Sequence, residues 1–178
     1  MGITFDIKFI AQIFGFVGAV VLWTSFQCKE TKRLFLWQFI ASLIFSLHFF
    51  LLGAYTGMIL NLIAVLRSLL LFNGHKKWAS HPITMVVVML MFAVSGALTW
   101  DGWLSLLPTA SMVIGTFFMW SRNGKTLRLA LLFFISPCWL IYNFAMGSIA
   151  GVLTEVVNII SVVVSLFRFG LKELDRTA

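Results

Sequence analysis

Hydrophobic positions in this chain do not alternate with polar ones. They run in seven long stretches, at about Ile7–Cys28, Leu34–Leu52, Ala54–Phe72, Ser80–Trp100, Trp103–Trp120, Leu127–Met146 and Ser148–Phe169. Each is near the roughly 20 apolar residues that a helix needs to cross a bilayer. A run of that length, apolar on every side, predicts a membrane helix rather than a strand. Seven such helices take up roughly 140 residues. The remainder is too short for a separate soluble domain, so any chemistry must sit inside the bundle or on short loops.

The first stretch lacks a basic leader and a small-residue cleavage site, and Lys29, Lys32 and Arg33 follow it. It is expected to be a retained helix whose C-terminal end faces the cytoplasm. Basic residues then alternate with the connections. Lys29, Lys32, Arg33, Lys76, Lys77, Arg122, Lys125, Arg128, Arg168, Lys172 and Arg176 all fall on one side if the N-terminus is outside and the C-terminus inside. The external connections GAYTG, TWDGW and AMGS carry no Lys or Arg, and Lys8 stands alone outside, beside Asp6. Trp100 and Trp103 flank the external turn, while Trp23, Trp37, Trp78 and Trp120 lie toward the cytoplasmic boundary, where indoles favour the headgroup region.

Composition agrees. The chain is 61% hydrophobic and 11% charged, with a mean hydropathy of +1.01. A soluble domain is about half apolar and a quarter charged. The net charge of +7 therefore reads as membrane orientation, not nucleic-acid binding. Cys28 and Cys138 are isolated, and three scattered histidines lack ligand spacing, so no disulfide, metal or other cofactor is expected.

The chain also repeats. A shift of 94 residues places 39–61 on 133–155: Phe39 on Phe133, Ser42 on Ser136, Phe50 on Phe144, Gly53 on Gly147, Gly57 on Gly151 and Asn61 on Glu155. A shift of 97 places Gly18 on Gly115 and Trp23 on Trp120. The paired GxxxG at two tight hairpins is the most specific part, because small residues one turn apart let helices approach closely. The expected architecture is an all-α membrane protein of seven helices, arranged as a 3+1+3 parallel repeat. Residues 1–74 form one three-helix bundle, 75–101 a linking transmembrane helix, and 102–178 the second bundle.

In this plan the chain resembles the SWEET and PQ-loop (MtN3-like) superfamily of small carriers. Within it, the segments 47–67, 106–116 and 139–155 are similar to the YgjV-type family of bacterial inner-membrane proteins, a family without an assigned substrate. The resemblance implies a multi-pass protein of the bacterial inner membrane. In the SWEET carriers, prolines in the first two helices of each half act as hinges. Here Pro108 and Pro137 stand in the fifth and sixth helices, and the first two helices have none. Those carriers also contact sugar through asparagines on the third helix of each half. The aligned pair here is Asn61 and Glu155, with Asn158 opposite Ala64.

Ionisable groups are costly inside a membrane and are functional candidates by default. Glu155 lies about seven residues into the last helix. Thr154, Asn158, Ser161 and Ser165 share one face, and Glu155 borders it about 60° from Asn158. Asn61, Glu155, Asn158 and Arg67 are the expected substrate-binding residues. Arg67 either pairs with Glu155 or snorkels to the cytoplasmic headgroups. His48 aligns with Tyr142, beside Asn143. With Pro108 and Pro137 they are the candidate gate and hinge residues.

The expected function is that of a small-solute transporter of the inner membrane, with a midplane site between the halves, the bilayer and a small polar solute as its partners, and a homo-oligomer compatible with the sequence. A non-transporting receptor or accessory subunit is the alternative. With no nucleophile–base constellation, no Gly-rich phosphate loop and no paired carboxylates, an enzyme is not expected.

Overall fold

A computed structural model describes residues 6–26, 28, 30–121 and 124–173. Lys29, Arg122 and Arg176 of the charge pattern lie outside these residues. Every described element is helical: α1 (Ile7–Phe26), α2 (Thr31–Leu51), α3 (Tyr55–Phe72), the short α4 (Lys77–Ser80), α5 (Pro82–Leu98), α6 (Leu106–Ser121), α7 (Gly124–Ala130), α8 (Ser136–Ala145) and α9 (Ile149–Glu173). A single 3-10 turn, Trp103–Ser105, leads into α6, and a π-helical segment, Leu131–Ile135, joins α7 to α8.

Five stretches are long and apolar enough to cross a membrane: Ile7–Ser25, Lys32–Leu51, Tyr55–Phe72, Trp103–Ser121 and Lys125–Ala145. Two shorter apolar helices, Pro82–Leu98 and Ile149–Val164, accompany them. The outside of the bundle is apolar. Phe133, Phe144 and Phe167 are 75%, 79% and 88% exposed, a cost in water that hydrocarbon removes. The inside is unusually rich in small hydroxyls, including Ser25, Ser68, Ser111, Thr116 and Ser136. Such groups pack closely and hydrogen-bond between helices.

The two hairpins α2–α3 and α8–α9 are the same turn made twice. Gly53 and Gly147 occupy equivalent positions with φ of 74° and 67°, a conformation that favours glycine. Leu52 N–H donates to the His48 carbonyl (3.1 Å), Gly53 to Phe50 (3.0 Å) and Ala54 to Phe49 (2.9 Å). Shifted by 94, Met146 donates to Tyr142 (2.9 Å), Gly147 to Phe144 (3.2 Å) and Ser148 to Asn143 (2.8 Å). The side-chain packing repeats as well. A Cβ on Gly57 would press on the Phe49 ring, and one on Gly151 on the side chain of Asn143, the residue equivalent to Phe49. The glycines thus serve close helix contact, as the GxxxG spacing implies.

The N-terminal and C-terminal helices interlock rather than forming two isolated bundles. α1 packs on α2 and also on α9. α3 packs on α2, on α5 and on α6, while α8 packs on α6 and α9. α5 begins at Pro82, with His81 as its N-cap accepting from Ile83 N–H (3.2 Å). At its far end, Thr56 of α3 donates to the Thr99 carbonyl and meets Ser105 Oγ (3.2 Å), tying the start of α3 to the connection into α6.

Candidate functional site

Three of the expected gate residues, His48, Tyr142 and Asn143, stand close to the hairpin turns. His48 on α2 is fully buried between Ala11 of α1 and Ser148 at the start of α9. Its Nδ1 lies 2.6 Å from the Ala11 carbonyl. A carbonyl only accepts, so Nδ1 carries the proton. Nε2 lies 2.7 Å from Ser148 Oγ, which in turn accepts from Gly151 N–H (3.0 Å). Ser148 therefore caps α9 and fastens it to α2. On α8, Tyr142 is equally buried, and its hydroxyl accepts from Gly57 N–H (3.0 Å) in the first turn of α3. Ala54, which precedes α3, has no side-chain acceptor to offer, so a residue from the other end of the chain supplies the cap. Asn143 is buried beside Gly151, with its Oδ1 unpartnered.

Deeper in α9, Asn158 Nδ2 donates to Glu155 Oε2 (3.3 Å). The two expected substrate contacts on α9 thus bond to each other. The Ser136 hydroxyl of α8 is buried and faces the same carboxyl. Thr154 turns back to the Ala150 carbonyl (2.8 Å), and Ser161 is exposed. The expected polar face is therefore narrowed to Glu155 and Asn158. The side chain of Ser165 lies outside the described residues.

Asn61 and Arg67 do not join that pair. Asn61 is buried, but its amide donates to the Gly57 carbonyl of its own helix (2.9 Å). Arg67 does not pair with Glu155. It is buried, with Nη1 donating to Thr116 Oγ1 (3.2 Å) and directed at Met112 Sδ (3.7 Å), and its guanidinium 5.3 Å from the centre of the Phe92 ring. The reason is placement. α3 packs on α5 and α6, whereas α9 packs on α8 and α1, so the two residues look into different contacts.

The prolines separate in kind. Pro108 is buried in the first turn of α6, where a missing N–H has no intrahelical partner to lose. Pro137 stands in the first turn of α8, with Ser136 between it and the π segment Leu131–Ile135, and within the continuous span Lys125–Ala145. Of the two, Pro137 stands beside a π segment, a common place for a helix to bend. Two tryptophans also depart from the expected belt: the indole N–H groups of Trp23 and Trp120 are buried and unpartnered, whereas Trp78 and Trp103 are exposed.

Clefts of about 100 Å³ (Ala93, Gly96, Ser105 and Thr109 among its lining) and about 530 Å³ (Tyr55, Thr99, Trp100 and Asp101) lie around the α5–α6 connection. None of Asn61, Arg67, Glu155 or Asn158 lines either cleft.

Residues that the sequence pattern did not single out complete these groups. Gln12 of α1 donates to the Gly147 carbonyl (2.8 Å) and accepts from Ala150 N–H (3.3 Å), stitching α1 to the second hairpin. An amide in the middle of an apolar helix was the available signal. Ser148 and Thr116 carried none, since serine and threonine are common in membrane helices.

Residues 9–173 match a family described as bacterial inner membrane protein, Imp-YgjV. The inner membrane protein YgjV of Escherichia coli (strain K12) is 25% identical over 146 residues, which cover 82% of this chain and 76% of that relative. No solved structure matches the chain. With an all-helical bundle, an apolar exterior and a family match along nearly its whole length, the chain belongs to the Imp-YgjV family of bacterial inner membrane proteins.

Proposed function

We propose that the chain is a small-solute carrier of the inner membrane. Its seven apolar helices cross the bilayer with the N-terminus outside, as a 3+1+3 parallel repeat. The repeated hairpin turn, reproduced bond for bond, supports the duplication. The His48–Ser148 and Tyr142–Gly57 contacts act as the external gate, closed in this arrangement, and Pro137 with its π segment as the hinge.

One observation carries the reading. Glu155 is a carboxyl within an apolar helix, has no cationic partner among the described residues, and faces neutral groups, Asn158 of its own helix and the Ser136 hydroxyl of α8. A membrane protein keeps so costly a group where it meets solute or protons. Glu155 and Asn158 then contact the solute, and a carboxyl that takes up and releases a proton couples transport to the proton gradient.

The test is uptake into proteoliposomes of sugars, amino acids, nucleosides and organic acids at two pH values. The expected result is pH-dependent uptake of one class by the wild type, and uptake that no longer responds to pH in Glu155→Gln of unchanged melting temperature. Folded wild-type protein that moves none of the panel sinks the carrier reading, and an unaltered pH response in the variant sinks the coupling.

A further inference from the structure

Arg67 presents a second, separate problem. It is 9% exposed, and its guanidinium carries five N–H groups. One nitrogen meets a hydroxyl and a thioether, and an aromatic face covers part of the group. Its Nε is buried with no acceptor, and no carboxylate among the described residues pairs with it. A buried charge without a counter-charge is unfavourable, and removing the charge altogether commonly stabilises a fold.

The surroundings share the deficit. Met112, Thr116 and Trp120 follow one another at four-residue intervals on α6, so they line one face. The first two touch Arg67. Trp120 packs on the cluster that contains Phe92, and its indole N–H is also buried without an acceptor. Each side of the α3–α6 contact thus carries a buried donor without an acceptor, Arg67 Nε on α3 and the Trp120 N–H on α6. The missing partner is negative, accepts several hydrogen bonds, and fits a planar guanidinium fork. A carboxylate or a phosphate has that chemistry.

We propose that Arg67 and Trp120 form an oxyanion-binding site between α3, α5 and α6, taking a carboxylate or phosphate group. That this anion belongs to the transported solute rests on the carrier reading above; the binding itself does not. The anion comes either from a soluble molecule or from a lipid headgroup, and the two sources are separable.

The experiment measures the melting temperature of protein purified in uncharged detergent, titrated with inorganic phosphate, malonate or dioleoylphosphatidylglycerol. A ligand of the native state raises apparent stability by mass action. At least one probe is expected to raise the wild-type value by several degrees and to leave Arg67→Gln unmoved. Trp120→Phe, which keeps the ring and loses the N–H, is expected to need about tenfold more anion, or about 1.4 kcal/mol of binding. Without anion, Arg67→Gln is expected to melt at or above the wild type. A response to phosphate or malonate identifies a soluble anion as the source. A response to the lipid alone keeps the site and assigns it to a headgroup, and so removes the anionic-solute assignment. No response to any probe, or an equal response in Arg67→Gln, overturns the site. If Arg67→Gln fails to fold, Trp120→Phe decides, and an unchanged titration overturns the proposal. Solute uptake that is equal in wild type and Arg67→Gln leaves the carrier standing and detaches this site from it.

Discussion

His48 and Tyr142, 94 residues apart, reach in opposite directions to the same kind of target. Tyr142 accepts the N–H of Gly57 in the first turn of α3, and His48 holds Ser148, which accepts the N–H of Gly151 in the first turn of α9. Gly57 and Gly151 are themselves equivalent positions. The second hairpin thus supplies the acceptor that caps α3, and the first holds the serine that caps α9, so each hairpin supports the start of the other's last helix.

This reciprocity makes a stability prediction. Tyr142→Phe removes the acceptor of the Gly57 N–H, and Ser148→Ala removes both the acceptor of the Gly151 N–H and the partner of His48 Nε2. Each is expected to cost about 1–3 kcal/mol, the desolvation cost of a polar group left unpaired. Ser161→Ala, at an exposed hydroxyl, is expected to stay within about 0.5 kcal/mol. Melting temperatures of the three variants in one detergent check this. Equal values for all three would show that the caps contribute nothing.

The hairpin glycines differ in what they supply, and the difference is measurable. A Cβ on Gly57 would lie 2.9 Å from the Phe49 ring, so Gly57→Ala is expected to cost about 1–3 kcal/mol through overpacking. Phe49→Leu in the same chain is expected to recover part of that loss. Gly53 has open space around it but a φ of 74°, so Gly53→Ala is expected to cost about 1 kcal/mol through backbone conformation, with no recovery from Phe49→Leu. A rescue pattern that is the same for both glycines would contradict the assignment.

The proposed orientation has its own test. Single cysteines near residue 6, in the 99–103 connection and near residue 146 are expected to react with an impermeant maleimide in intact cells, in a background lacking Cys28 and Cys138. Cysteines at 75 and 125 are expected to react only after the membrane is opened. Labelling of 75 from outside would overturn the seven-span topology.

Much of the fold was legible because it depends on local properties. The length of an apolar run determines whether a helix can span, and the stretch placed at about 80–100 is α5, Pro82–Leu98. The repeated hairpin was also visible. Its turn is set within a few residues by a glycine at positive φ, and the same small residue recurs four positions later to let the helices touch. The bond between Asn158 and Glu155 could be anticipated for the same reason, since residues three apart on a helix are neighbours.

What the sequence left open is which distant groups meet. Asn61 and Glu155 align under a shift of 94 residues, yet each takes a hydrogen bond within its own helix. Arg67 admitted Glu155 as a partner, and packing set its guanidinium against Thr116, Met112 and Phe92. A single chain of letters determined the helices, their joints and the costly polar groups, because propensity, hydrophobic length and turn geometry act over a few residues. Only the tertiary structure decided the partners of His48, Tyr142 and Arg67. A buried donor takes whatever acceptor the neighbouring helix presents, and which helix is the neighbour depends on the packing of the whole bundle.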